Sequence, residues 1–165
     1  MRRPQGHVSI SKIVDSFGKE IPLEKAIKYG WITGADLGPN LFLDQGRQLL
    51  AYAFAFRSPI ENFVCRRFGV GTGLTAAKVS DVALEAPITL TSTGLITAPI
   101  DSIDFLSAFL IRVSFTLALG DANGYVITEM GLYSGNSTLM ARKIRAVAVN
   151  KTSDFSPTLT WRIRF

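Results

Sequence analysis

Cysteine and histidine are almost missing from this chain, which holds one of each, Cys65 and His7, in 165 residues. A disulfide within the chain is therefore impossible, and a zinc site assembled from cysteine and histidine is excluded. Cys65 lies between Val64 and Arg66 in an apolar run and reads as a small buried residue. Long apolar runs are lacking too. The longest, Leu41 to Phe56 and Phe105 to Leu119, carry Arg47 and Arg112 near their middles. Both fall short of the roughly 20 residues a spanning helix needs, so no membrane span is expected. Met1-Arg2-Arg3 has the charge of a secretory leader without an apolar core behind it, and export by that route is not expected.

The parts of a catalytic site are also scarce. No serine sits in a Gly-x-Ser-x-Gly setting, and the lone His7 lies near the N-terminus. Asp101 and Asp104 are spaced for pairing, but such spacing is common in loops that need only solvation. Gly69-Val70-Gly71-Thr72-Gly73 is the stretch that invites a phosphate-binding reading. It lacks both the Gly-Lys-Ser/Thr of a P-loop and the Gly-x-Gly-x-x-Gly of a dinucleotide site. The expectation is a protein without enzymatic activity, cofactor or metal.

Charged residues make up only 19% of the chain, against 47% hydrophobic, with a mean hydropathy of +0.25. So few charges leave two readings, a well-filled core or apolar surface covered by another chain, and the second, as in a homo-oligomer, is expected. Lys and Arg outnumber Asp and Glu by 18 to 13, a net +5. They are spread along the chain, which speaks to solubility and association before it speaks to nucleic acid.

Alternation of apolar and polar residues carries the fold. Tyr125–Tyr133, Leu139–Val149 and Thr158–Phe165 alternate and are separated by Ser134–Ser137 and Asn150–Asp154, which predicts a three-stranded antiparallel meander. Ala108–Leu119 is a further strand, expected to return to the first of these through a hairpin turn at Gly120–Gly124. Strands are also predicted at Phe63–Val70 and Ile88–Ile96, and a short one over His7–Asp15 with a slip before Ile13. One helix is expected near residues 44–57, with Asp44 as N-cap, Gly46 permitting close packing and Pro59 as the stop. Pro22–Lys28 has the composition of one or two helical turns. The fold class is mainly β: an antiparallel β-sandwich (40–165) with that helix inserted, preceded by an extended N-terminal arm or peripheral segment (1–39).

Two groups of polar residues stand out. Glu129 lies in an otherwise apolar strand. Either it faces outward, or it is a buried partner for a basic group or for backbone amides of the glycine-rich loop, a latch between the two halves of the chain. Arg142, Lys143 and Arg145, with Lys151, lie on or after one expected meander strand and Arg162 and Arg164 on the next. If those strands are neighbours, their basic residues form one interaction patch for an acidic partner or a solvated face.

Several segments in order resemble a family. Asn40-Leu41-Phe42-Leu43-Asp44-Gln45-Gly46-Arg47-Gln48-Leu49-Leu50 resembles the helix start of small tailed-bacteriophage virion proteins. Phe68-Gly69-Val70-Gly71-Thr72-Gly73 with Asp81-Val82-Ala83-Leu84-Glu85 is similar to their glycine loop and the acidic-apolar segment after it. Ile127-Thr128-Glu129-Met130-Gly131-Leu132-Tyr133 with Leu139-Met140-Ala141-Arg142 resembles the Glu-x-Gly-Leu-aromatic signature of tail-collar and tail-fibre attachment domains. The resemblance implies an attachment or adaptor domain of the tail, collar or baseplate, made in the host cytoplasm and built into the virion, which docks other virion proteins as a homo-oligomer. A capsid decoration protein is the alternative within that class. A nucleic-acid-binding β-domain is the alternative outside it, and it calls for exposed aromatics interleaved with basic residues, whereas Trp161 lies on the apolar face of its strand.

Overall fold

The computed structural model describes residues 5–31, 39–55, 64–108 and 110–164. Nine strands are joined in one antiparallel sheet: β1 (Gln5–Asp15), β2 (Pro39–Phe42), β3 (Cys65–Gly71), β4 (Ala98–Pro99), β5 (Ser102–Ser107), β6 (Leu110–Thr116), β7 (Val126–Ser134), β8 (Leu139–Asn150) and β9 (Phe155–Arg164). Their order is β4-β3-β7-β8-β2-β1-β9-β6-β5. Two short helices, α1 (Leu23–Lys28) and α2 (Asp44–Ala55), complete the described elements.

The sheet is folded over on itself. Phe68 of β3 and Phe115 of β6 stand near opposite ends of the strand order, yet their rings stack with centroids 4.2 Å apart. Val70, Met130 and Leu132 from one half meet Val113, Leu159 and Trp161 from the other in a single apolar cluster. The result is the expected mainly β, sandwich-like arrangement, two packed layers made from one sheet. The chain between β4 and β5 joins the layers. Ile100 N–H donates to Arg66 O (3.1 Å) in one, and Asp101 N–H donates to Ser114 O (2.8 Å) in the other.

Local pattern and local structure agree where pairing is local. β7 and β8 form the hairpin expected of them, and the slip read before Ile13 is a register shift between Ile10 and Lys12. The third strand of the expected meander is a correction: β9 pairs with β1 and β6, and β2 and β1 intervene between it and β8. Gly120–Gly124 is likewise no hairpin, since β6 pairs with β5 and β9, and the turn carries the chain across to β7 in the other layer. Ile88–Ile96 is not a strand. It makes a bridge between Leu90 and Leu95 around a turn that has Gly94 at φ +66°, a conformation glycine adopts readily and other residues rarely.

β1 occupies an interior position of the sheet, between β2 and β9, where an arm or peripheral segment was expected. The residues after it pack on the same core: Ala26 of α1 is fully buried, and Trp31 stacks on Phe155 at 4.6 Å. For α2, the expected end at residue 57 and the Pro59 stop lie outside the described residues. Its first turn lies against β8, where Leu43 N–H donates to Met140 O (2.9 Å).

Gly46 is the residue that permits this approach. A methyl group there would stand 2.9 Å from Met140 Cα and 3.0 Å from its carbonyl carbon. Alanine ordinarily gains about 1 kcal/mol over glycine inside a helix. Here the overlap is with backbone, which cannot rotate away, so Gly46→Ala is expected to lower stability by about 1–3 kcal/mol. Urea unfolding of the variant checks this, and a higher midpoint would show that the helix and β8 are free to separate.

Candidate functional site

The outer face of β3 and β7 is where the unusual chemistry lies. Directly opposed residues share a face of a sheet, so Glu129 and Gly131 of β7 lie beside Gly71 and Gly69 of β3, with Arg142 of β8 opposite Gly131. Strand alternation would put this row in water. It is covered instead by the segment 72–87, which crosses the face and returns at Pro87 opposite Gly71.

Glycine makes the cover close. A methyl at Gly71 would stand 2.5 Å from Glu129 Oε2, and one at Gly73 would stand 2.6 Å from the same oxygen. At Gly131 a methyl would meet Leu139 Cδ1 at 2.7 Å and Leu84 Cδ2 at 2.9 Å. Leu43, Leu84, Tyr133 and Leu139 form a small apolar cluster on this side. The glycine-rich run thus makes room for the protein's own loop and carboxylate.

Glu129 is completely buried and Arg142 is 3% exposed. Arg142 Nε donates to Glu129 Oε1 at 2.6 Å, Nη1 donates to Asp81 Oδ2 at 2.6 Å, and Nη2 donates to Thr75 O at 3.2 Å and Glu85 Oε2 at 3.3 Å. Glu129 also accepts the backbone N–H of Glu85 (2.7 Å) and of Ala86 (3.1 Å). Glu85 in turn accepts the N–H groups of Leu74 (3.0 Å) and Thr75 (2.8 Å) and the Thr75 hydroxyl (2.7 Å). Three carboxylates converge on one guanidinium, and through it the covering segment is fastened at both of its ends. A cavity of about 220 Å³ opens beside Arg142, lined by Thr75, Ala76, Lys78, Asp81, Ala83 and Glu85.

The acids are tuned by these contacts. The Thr75 hydroxyl, the Thr75 and Leu74 amides and the Arg142 charge hold Glu85 below the usual carboxylate range, against a smaller effect of burial. For Asp81, burial works to raise the value, but the Lys78 amide and the Arg142 guanidinium outweigh it and the carboxyl is lowered. Burial is the main cause that pushes the Tyr133 hydroxyl up to about 12, helped by the Glu129 charge.

The other basic residues do not form the patch considered above. Lys143 and Arg145 are buried at 2% and 4% exposure, whereas Arg162 and Arg164 are exposed on β9, separated from β8 by the two strands β2 and β1. The condition for one patch was that the two strands be neighbours, and they are not. Lys151 belongs to a separate tie: it is 1% exposed and donates from Nζ to Leu119 O (2.9 Å), Asn123 Oδ1 (2.9 Å) and Thr152 O (2.7 Å). Burial pushes its ammonium down to about 8. Asp121, equally buried, accepts from Ser92 N (2.7 Å) and Ser92 Oγ (2.7 Å), which ties the 91–94 turn to the same corner. Cys65 is half-buried against the core, and burial pushes its thiol up to about 12, far from a reactive thiolate.

Sequence reasoning missed Asp81 and Glu85 as partners of Arg142. The available signal was their spacing: two acids four residues apart, in a segment otherwise apolar, that follow a glycine-rich run. His7 has no described side-chain environment, and no group of three metal-binding side chains is found among the described residues. No family model matches this chain, and comparisons with curated proteins and with solved structures find no match either.

Two tests follow from this geometry. Glu129→Gln keeps the shape but turns an amide N–H₂ toward the N–H donors of the covering segment and removes the charge that faces Arg142. A loss of about 3–5 kcal/mol is expected, as for any buried pair that loses one member. Arg142→Met alone is expected to cost at least as much. The double variant should fall short of the sum by about 2 kcal/mol or more, read by chemical denaturation in a double-mutant cycle; strict additivity would mean that the two side chains act separately. The second test is acid. Asp81 and Glu85 have lowered values in the folded state, against ordinary values of 3.8 and 4.5. Their contribution is complete above about pH 5 and is lost as pH falls through the lowered values. Amide exchange in residues 72–87 should therefore accelerate below that pH before exchange in β6 and β9 does, and simultaneous loss in both regions would count against it.

Proposed function

We propose that this chain is a non-enzymatic structural component of a tailed-bacteriophage virion, an adaptor or fibre-attachment protein of the tail, collar or baseplate. It acts by protein–protein assembly, as a homo-oligomer that docks other virion proteins. The observation that carries this reading is the apolar edge of the β5–β6 hairpin, where Ile103, Phe105 and Leu106 are 39%, 82% and 41% exposed. Large apolar groups gathered at one sheet edge are the chemistry of a docking surface.

The residues of the Glu-x-Gly-Leu-aromatic signature support the same reading in another way. Glu129, Gly131 and Tyr133 hold a loop rigidly on one face, and Met130 and Leu132 fill the core on the other. Such a module offers a fixed frame from which edges and loops engage partners. The nucleic-acid alternative draws less support. Trp161 is completely buried, and three of the basic residues that raise the net charge are buried with it, Arg142, Lys143 and Arg145.

The reading is tested on particles and in solution. Antibody raised against the chain should label the tail or neck of virions in electron micrographs; label over the capsid faces would favour a decoration role, and unlabelled particles would overturn the proposal. The purified chain should give a discrete native mass at a whole-number multiple of 18.0 kDa. It should bind duplex DNA weakly at most, whereas tight binding that falls steeply with salt would favour the nucleic-acid alternative.

A further inference from the structure

We infer that β5 is the edge through which a second copy of this chain pairs, antiparallel and about a two-fold axis at Phe105. Two rows of side chains on the inner face of the sheet lead to this edge. Trp161, Val113 and Ile103 lie side by side across β9, β6 and β5, and so do Ile163, Ile111 and Phe105. Each row begins in the core, where Trp161 and Val113 are fully buried and Ile163 is 4% exposed, and each ends uncovered, Ile103 at 39% and Phe105 at 82%. The apolar interior therefore runs out to the last strand and stops without a cover. β5 is the end of the strand order, so its outer edge has no strand beside it among the described residues.

The strand is self-complementary in one register. Pairing about Asp104 would set two carboxylates opposite each other, which is unfavourable. Pairing about Phe105 sets the two rings together, so that the row ending in Phe105 continues across the axis into its counterpart, and the register shift of β5 falls after Phe105, before Ser107. Asp104 lies on the other face, where its carboxylate accepts from Arg112 Nε (3.1 Å) and Nη2 (3.0 Å), and so brings no unpaired charge to the junction. The opposite end of the strand order is closed to such pairing. β4 is two residues long and one of them is Pro99, which has no N–H to offer. A head-to-tail stack of β5 on β4 is thus blocked, and the remaining solution is a closed pair.

This inference rests on the homo-oligomer reading but not on membership of a virion. It is tested with the full chain in a Cys65→Ser background. Phe105→Cys should give a covalent dimer on mild oxidation or with a short bis-maleimide, because directly opposed residues stand about 5 Å apart. Phe17→Cys, 94% exposed at a distant turn, should not. Phe105→Lys sets two cations together at the axis and should weaken self-association at least tenfold, with an unchanged melting temperature as evidence that the monomer is intact. If the wild-type chain is oligomeric but Phe105→Lys leaves it so, or if the thiols at 105 and 17 link equally, the β5 inference is overturned while self-assembly stands. A wild-type chain monomeric across the concentration series overturns both.

Discussion

The buried pair of Glu129 and Arg142 is the constraint on which the rest of the outer face depends. Taking a carboxylate and a guanidinium out of water costs several kcal/mol each, and mutual attraction offsets that only when the remaining lone pairs and protons are also engaged. Here they are. Glu129 accepts two backbone amides besides the guanidinium, and Arg142 reaches two further carboxylates and a carbonyl. Such a centre adds little net stability over an apolar plug. What it adds is direction: each contact is satisfied at one position of the segment 72–87 and at no other, so a glycine-rich run with little packing of its own is held in one conformation.

The glycines and the charges are parts of one device. With side chains at Gly71 and Gly73 the carboxylate of Glu129 would have no place, and without Glu129 the space they leave would be a void beside a guanidinium whose Nε had lost its partner. The Glu-x-Gly-Leu-aromatic stretch reads the same way in physical terms. The acid latches the cover, Gly131 lets Leu84 and Leu139 close over the strand, Leu132 points into the core and Tyr133 packs under the cover.

How far the sequence foretells this depends on distance along the chain. Alternation names the strands, because it records which face of each meets the core: Trp161, placed on the apolar face of its strand from pattern, is fully buried, and so are Phe115, Leu117 and Leu159 within the alternating runs Ala108–Leu119 and Thr158–Phe165. Alternation does not name partners. β9 was expected beside β8 because the two are adjacent in sequence, but its neighbours are β1, some 150 residues away, and β6. Nothing local encodes that choice, which follows from the fold-over of the whole sheet. The same limit applies to the site. A lone Glu129 in an apolar strand is legible as an anomaly, but whether it faces water depends on a loop whose course is set by Arg142, 61 residues beyond Asp81. The basic residues near it were read as surface for the same reason, since charge suggests exposure until a partner is known.

Fold-over also explains where apolar surface is left. A flat sheet of nine strands has two equivalent open ends; folding this one brings the ends together through Ile100 and Asp101, so that the chain leaves one layer and enters the other within two residues. β4 stays two residues long at that crossing, while β5 continues past it beside β6 and carries Ile103 and Phe105 exposed. Exposure of Phe105 is therefore a geometric consequence of closure at one corner. A sandwich made from a single sheet can close that corner or cover the strand that leaves it, and this chain does the first. The exposed end of an otherwise continuous core is what remains, and it is this end that the proposed β5 pairing sets against a second copy of the chain.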